Sequence, residues 1–143
     1  MPDVALAIVE EARRWIGTPF RHRASMRGAG CDCLGLVLGL RRALGHADPV
    51  SIPAYAADWG ATAGDEALWQ ALSRCLKAAG PVAMPGDVLL FRLRRGATAG
   101  HLGIQSQKGA EPRFIHAYSG HGVVESPLGS PWERRVVARF SLI

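Results

Sequence analysis

Apolar residues recur at near-helical spacing at Val4, Ile8, Ala12 and Trp15, which predicts a first helix with Pro2 available for its opening turn. Gly17-Thr18-Pro19 should end it, because a proline disfavours helical geometry in the residue before it. An irregular, glycine-rich stretch runs to Gly30 and carries Arg21, His22, Arg23 and Arg27. A second helix is expected from near Asp32, with Leu36, Val37, Leu40 and Leu44 on one stripe and Gly45 as its stop. Residues 46–64 read as a long connection broken by Pro49 and Pro53. Leu68, Leu72 and Leu76 mark a third helix, closed by Gly80-Pro81. Past Pro85 the period changes, and 87–93, 101–107, 113–118, 122–125 and 134–142 read as strands. Helices followed by a run of neighbouring strands predict an α+β fold with N-terminal helices packed on an antiparallel sheet.

The chain has 143 residues, of which 48% are apolar and 20% charged, which suits one domain with a core of its own and excludes wholesale disorder. Its longest near-unbroken apolar run, Cys33 to Leu40, is far shorter than the ~18 residues of a membrane span, so none is expected. The N-terminal segment holds Glu10 and Glu11 inside its apolar pattern and has no basic lead, so it does not read as a secretory signal. The expectation is synthesis in the cytoplasm without a signal peptide. Net charge is +5, and Lys77 and Lys108 are the only basic residues that are not arginine. Such a balance favours anionic polymers, whether nucleic acid or cell wall, and does not choose between them. Aromatic residues make up 7%, and no nucleic-acid motif accompanies the arginines near 13–27, 92–95 and 134–139. They read as solvated faces, with no sequence-specific nucleic acid as partner.

Three cysteines make an odd count, so at least one thiol should lie outside any disulfide. Cys75, among Ala71, Leu72, Leu76 and Ala79, reads as a small core hydrophobe. Cys31 and Cys33 stand in Gly28-Ala29-Gly30-Cys31-Asp32-Cys33-Leu34-Gly35, a glycine-rich loop entering a helix that Asp32 can cap. A thiol at a helix N-terminus meets unpaired N–H groups and the positive end of the macrodipole, which favour the reactive thiolate. One reading is a nucleophile on a preorganised turn, with the N–H groups of residues 32–34 (Asp32, Cys33, Leu34) available to an oxyanion. The other is two small buried residues that begin a core helix.

A thiol nucleophile needs a base and a group to orient it. Of five histidines, His46 and His22 read as surface residues and His121 as a turn residue between Gly120 and Gly122. His101 and His116 each sit at a defined phase of an apolar alternation. A hairpin closed by a four-residue loop at 107–110 would place them directly opposite each other on one face. A slip of one residue would separate them. Gly103, next on that face, would leave room for a helix terminus or a substrate. Taken alone, the pair reads more simply as two satisfied structural histidines.

Several segments, in order, resemble the NlpC family of papain-like cysteine peptidases that cut bacterial cell-wall peptides. Residues 12–20, ending Gly17-Thr18-Pro19-Phe20, are similar to the family's first-helix exit, and Cys31-Asp32-Cys33-Leu34-Gly35-Leu36-Val37 to its Asp-Cys-Ser-Gly nucleophile turn. Pro85-Gly86-Asp87-Val88-Leu89-Leu90-Phe91 resembles the first sheet strand, His101-Leu102-Gly103-Ile104 the strand of the base, and Ile115-His116-Ala117 the strand of the orienting residue. The resemblance implies one papain-like domain over 1–143, with Cys33 rather than Cys31 as nucleophile, His101 as base and His116 as orienting residue. Phe20 stands where the family has Tyr, and Leu34 where it has Ser, which gives a more apolar site wall. Phe20, His22 and Gly103 are the candidate pocket residues.

The implied activity is hydrolysis of an amide in the peptidoglycan stem peptide, such as D-glutamyl to diaminopimelate, without metal or cofactor. The Gly-Cys-Asp-Cys-Leu-Gly-Leu-Val version further resembles the branch found in phage tails and gene-transfer particles. That branch implies tail or baseplate proteins as partners, incorporation in a phage-like tail, and local wall penetration. Three other readings remain: a catalytically idle tail plug, a zinc site of Cys33, His101 and His116 with one open position, and nucleic-acid binding through the arginines near 13–27, 92–95 and 134–139, for which solvated faces are the simpler account.

Overall fold

The computed structural model describes residues 3–49 and 66–143. Pro2 and most of the expected 46–64 connection, Pro53 included, lie outside the described residues. The first helix, α1 (Val4–Arg14), starts where the Asp3 carboxylate accepts hydrogen bonds from the N–H groups of Ala5 (3.0 Å) and Leu6 (3.4 Å). Arg13 and Arg14 occupy its last turn, where cations suit the helix dipole. The stretch expected to be irregular contains a short antiparallel ribbon, β1 (Ser25–Met26) with β2 (Gly30–Cys31). It leads into α2 (Cys33–Ala43), capped by Asp32 and ended at Gly45, which sits at φ +92.

The third helix, α3 (Ala67–Cys75), is shorter than its leucine spacing predicts. Its C-cap Leu76 is already extended, and the following residues lie along a sheet edge. The N–H of Ala79 donates to Arg139 O (3.0 Å) and that of Ser141 to Lys77 O (2.8 Å). Those bonds cover an edge that would otherwise be left open, and they compete successfully with one more helical turn.

The sheet comprises β3 (Val88–Phe91), β4 (His101–Gln107), β5 (Arg113–Tyr118), β6 (Gly122–Pro127) and β7 (Val136–Phe140). All neighbours are antiparallel, in the order β6-β5-β4-β3-β7. The last strand begins later than expected, because residues 130–133 form a short helix, α4 (Ser130–Glu133), with a proline in its first turn.

Two apolar clusters lie on opposite sides of the sheet. Val88, Leu90, Leu102, Ile104, Ile115 and Ala117 meet Ile8, Ala12 and Trp15 near α1, Leu36, Val37 and Leu40 of α2, and Leu68 and Leu72 of α3. Leu89, Phe91, Phe114 and Leu128 form the second cluster, with Trp132 of α4 packed against it. Helices packed on an antiparallel sheet are thus the fold, as the hydrophobic pattern predicts. One backbone crossing holds α1 against the sheet: Gly17 N–H donates to Val123 O and Val123 N–H to Thr18 O. A Cβ on Gly122 (φ +73) would stand 2.6 Å from Thr18 O, so only glycine fits there.

Candidate active site

The turn that carries Cys33 is fixed from several directions. Asp32 is almost fully buried. Its Oδ1 accepts from Gly35 N–H and its Oδ2 from Arg23 N–H, both at 2.7 Å. Arg23 adopts φ +65, a conformation uncommon for a side-chain-bearing residue, and the bond to Asp32 holds it there. Ser25 Oγ donates to Gly35 O, and a Cβ on Gly35 would fall 1.9 Å from Ala24 O. Asp32 is therefore a buried clasp between α2 and the 23–25 backbone as well as a helix cap. His22 is exposed, with Nδ1 3.8 Å from Asp32 Oδ2. Phe20 is half-buried and bridges to Cys31 through its backbone, beside the nucleophile turn.

None of the three cysteines is in a disulfide. Cys75 packs at the end of α3 against the main core. Cys31 has no exposed surface, and burial, reinforced by the Asp32 charge, pushes its thiol up to about 12. Cys33 opens α2, and its Sγ donates to Gly100 O at 3.8 Å, just before β4. Burial first, then the Asp32 charge, pushes the Cys33 thiol up to about 12 as well. The N–H groups of Leu102, Leu34 and Cys33 pull the other way. The helix terminus was expected to favour thiolate. Desolvation and a neighbouring carboxylate outweigh it, and the resting sulfur is a thiol.

His101 and His116 are buried on the sheet face turned away from α2, because His101 pairs with Phe91 and shares the face of the second cluster. His101 Nε2 lies 2.8 Å from His116 Nδ1, and His116 Nε2 lies 3.0 Å from Ser126 Oγ. The direct opposition expected for the pair is not the observed register. Ile104 pairs with Ile115, Gln105 with Phe114, and Gln107 with Arg113 across an irregularity at Ser106. The loop is correspondingly longer, and the ladder is displaced by two residues. An even displacement keeps both imidazoles on one face, as diagonal neighbours within reach of ring-sized side chains.

Gly103 is buried, and the room expected beside it is taken. A Cβ there would lie 2.8 Å from the Phe114 ring and 3.4 Å from His116 Cβ. Its lack of a side chain admits His116, not a helix end or a ligand. The N-terminus of α2 lies across the sheet, where the stripe of that helix finds Leu102, Ile104 and Ile115. Cys33 approaches the histidines only at the start of β4. Among the described residues, no hydrogen bond joins Cys33 to either imidazole.

Burial lowers the His101 pKa to about 3, with the adjacent His116 adding to the effect, and that of His116 to about 4, with His121 adding. Both rings are neutral near pH 7. The surroundings explain this, since Trp132 of α4 lies 5.6 Å from His101 and 5.1 Å from His116 between ring centroids, and Tyr118 lies 5.8 and 5.4 Å away.

Four residues of this neighbourhood were not singled out from the sequence: Ser126, Trp132, Tyr118 and Glu66. Gly129-Ser130-Pro131 is a helix-start signal that would have put Trp132 on its own short element. Glu66 joins Ala99 N–H and the Arg92 guanidinium, each at 2.8 Å, and so fixes the segment before His101. Nothing local in the sequence indicates that link.

Among the described residues no group of three or more His, Cys, Asp and Glu side chains is arranged to hold a metal ion, and no helix is long and apolar enough to cross a membrane.

The fold is that of a known class of structure, the NlpC/P60 domains. An NLP/P60-family protein similar to a lipoprotein, from Staphylococcus aureus, superposes with a TM-score of 0.66 at 19% identity over 100% of this chain. The NlpC/p60 domain of the peptidoglycan hydrolase SagA gives 0.61 at 22% identity over 97% of it. NlpC1 from Trichomonas vaginalis gives 0.59 at 16% identity over 99%. The chain spans 43% and 45% of the S. aureus and T. vaginalis structures and 99% of the SagA domain. At these identities the likeness is one of fold. No family model and no curated protein matches the sequence.

Proposed function

We propose that this chain is a cysteine peptidase that hydrolyses an amide bond in peptidoglycan stem peptides. The observation that carries the reading is the 2.8 Å contact between His101 Nε2 and His116 Nδ1, beside a helix that opens on Cys33. If His101 donates through Nε2–H to His116, and His116 through its Nε2–H to Ser126, then Nδ1 of His101 is left as a base. That tautomer is the one the chemistry requires.

In the reaction, the Cys33 thiol leaves its Gly100 acceptor and gives its proton to His101 Nδ1 as sulfur attacks the carbonyl carbon. The oxyanion is held by backbone N–H groups at the 32–34 turn, worth roughly 3 kcal/mol for a well-placed donor. Collapse breaks the C–N bond, and the His101 imidazolium protonates the departing amine. Water then adds to the thioester with His101 as base, which releases the acid and restores the thiol. His116 is a positioning residue that sets the tautomer and orientation of His101.

The SagA domain of the same fold is described as belonging to a peptidoglycan hydrolase, which supports the substrate class. A bond such as D-glutamyl to diaminopimelate, and work within a phage-like tail alongside tail or baseplate proteins, are the finer parts of the proposal. They rest on the resemblance of the Gly30–Val37 segment. The raised thiol, lowered imidazoles and missing hydroxyl at Phe20 favour a second reading, an idle plug that retains the fold. Incubating wild type and Cys33→Ala with defined muropeptides and weighing the products separates the two. Cleavage by wild type alone supports the peptidase, and no cleavage by either supports the plug.

A further inference from the structure

The seventeen basic side chains are not spread evenly over the fold. Those near the first helix are largely neutralised, Arg13 by Glu125 and Arg14 and Arg27 by Glu11, and Arg139 pairs with Asp87. Another set converges. Arg92, Arg94 and Arg95, leaving β3, and Arg134 and Arg135, between α4 and β7, line one open cavity of about 550 Å³ with Leu93 and Val137. Arg92 pairs with Glu66, but among the described residues no carboxylate pairs with Arg95, Arg134 or Arg135.

Two connections tie the cavity to the candidate active site. Arg135 stacks on Trp132, 5.8 Å from the ring, and Trp132 in turn packs on His101 and His116. The segment that begins with Arg92, Arg94 and Arg95 ends at Gly100, whose carbonyl oxygen receives the Cys33 thiol.

We infer that this arginine-lined cavity is a substrate subsite that holds free carboxylates of an acidic peptide whose amide is presented to Cys33. Guanidinium groups bind carboxylates through paired N–H donors, and Arg95, Arg134 and Arg135 around one space offer more of them than a single acid group needs. Leu93 and Val137 supply apolar wall for the peptide's aliphatic parts. The volume suits a few residues of peptide. A nucleic acid is less well served, because the Trp132 face, which lies beside the cavity, is taken by Arg135 and neighbouring rings and is not open to base stacking. The inference rests on the peptidase reading and adds a preference to it: peptides with free carboxylates over the same peptides with those groups amidated.

The test uses binding to the Cys33→Ala protein as well as turnover by wild type. Matched stem peptides, free-acid and amidated, are titrated calorimetrically into Cys33→Ala, with and without Arg95→Gln and Arg134→Gln together. The expected result is preference for the free acid by about tenfold or more, lost in the double Gln variant and largely kept with Arg95→Lys and Arg134→Lys. With active enzyme the same pair should raise KM and leave kcat nearly unchanged. Equal affinity for acid and amide, or a preference that survives both Gln substitutions, overturns the subsite. So does tighter binding of a short DNA duplex than of the acidic peptide at equal ionic strength. Because the binding arm needs no catalysis, carboxylate-dependent binding by a protein that cleaves nothing would defeat the peptidase reading and leave the subsite standing.

Discussion

The imidazoles of His101 and His116 meet at 2.8 Å although their residues are diagonal, not opposed, in the β4–β5 ladder. Gly103 makes this contact possible, since any side chain there would collide with Phe114 and crowd His116. The pair continues to Ser126, so one line of hydrogen-bonding groups crosses β4, β5 and β6.

Replacing His116 separates orientation from binding. His116→Ala is expected to lower kcat by about 10²–10³-fold with little change in KM, because His101 loses the partner that fixes its tautomer. His116→Asn, which offers an amide oxygen to the same donor, should recover part of the loss. Steady-state kinetics on a muropeptide distinguishes these outcomes, and circular dichroism checks that the fold is kept.

Thiol reactivity should follow the burial of Cys33 rather than the helix dipole. Alkylation by iodoacetamide is expected to rise steadily past pH 9 without a plateau between pH 5 and 8, because the thiol titrates near 12. Cys31, with no exposed surface, should stay unmodified in the native protein. Mass spectrometry of modified peptides reads both sites, and a plateau at neutral pH would show a preformed thiolate.

Acid should destabilise the fold. Both buried imidazoles have folded pKa values, about 3 and 4, below the ordinary 6.5, so the unfolded chain binds more protons once pH drops below about 6.5. Stability is fully present above that value and is lost as pH falls toward the folded values. The slope is about 1.4 kcal/mol per pH unit for each imidazole that stays neutral. The salt-bridged Glu125, held below its usual range by its Arg13 and Ser106 bonds despite desolvation, acts in the same direction at lower pH. Urea unfolding at pH 7, 5.5 and 4 measures the trend.

Two glycine substitutions should have different consequences. Gly35→Ala would normally favour a helix by up to about 1 kcal/mol, but here its Cβ meets Ala24 O, and a loss of at least about 2 kcal/mol is expected. Gly103→Ala meets the Phe114 ring first, with Ile115 O and His116 Cβ farther off, so its larger effect should be on kcat through a displaced His116. Thermal melts and kinetics on the two variants reveal the contrast.

Local pattern was enough for much of this protein. Helical spacing placed α1 and the stripe of α2, alternation placed β4 and β5 with their observed limits, and Asp32 before an apolar run marked the cap beside Cys33. The two histidines share a face as expected because the observed ladder is displaced by an even number of residues, which preserves the alternation that an odd displacement would have inverted. Tertiary structure decided the rest. The early end of α3 depends on an edge of β7 far along the chain, and Glu66 reaches the segment before His101 across 33 positions. Which face α2 would cover depended on where the larger apolar surface lay. The protonation of Cys33 and His101 was likewise outside the reach of local rules: a helix terminus offers a fixed, nearby field, whereas desolvation is set by everything packed around the group, from Trp132 to Phe91.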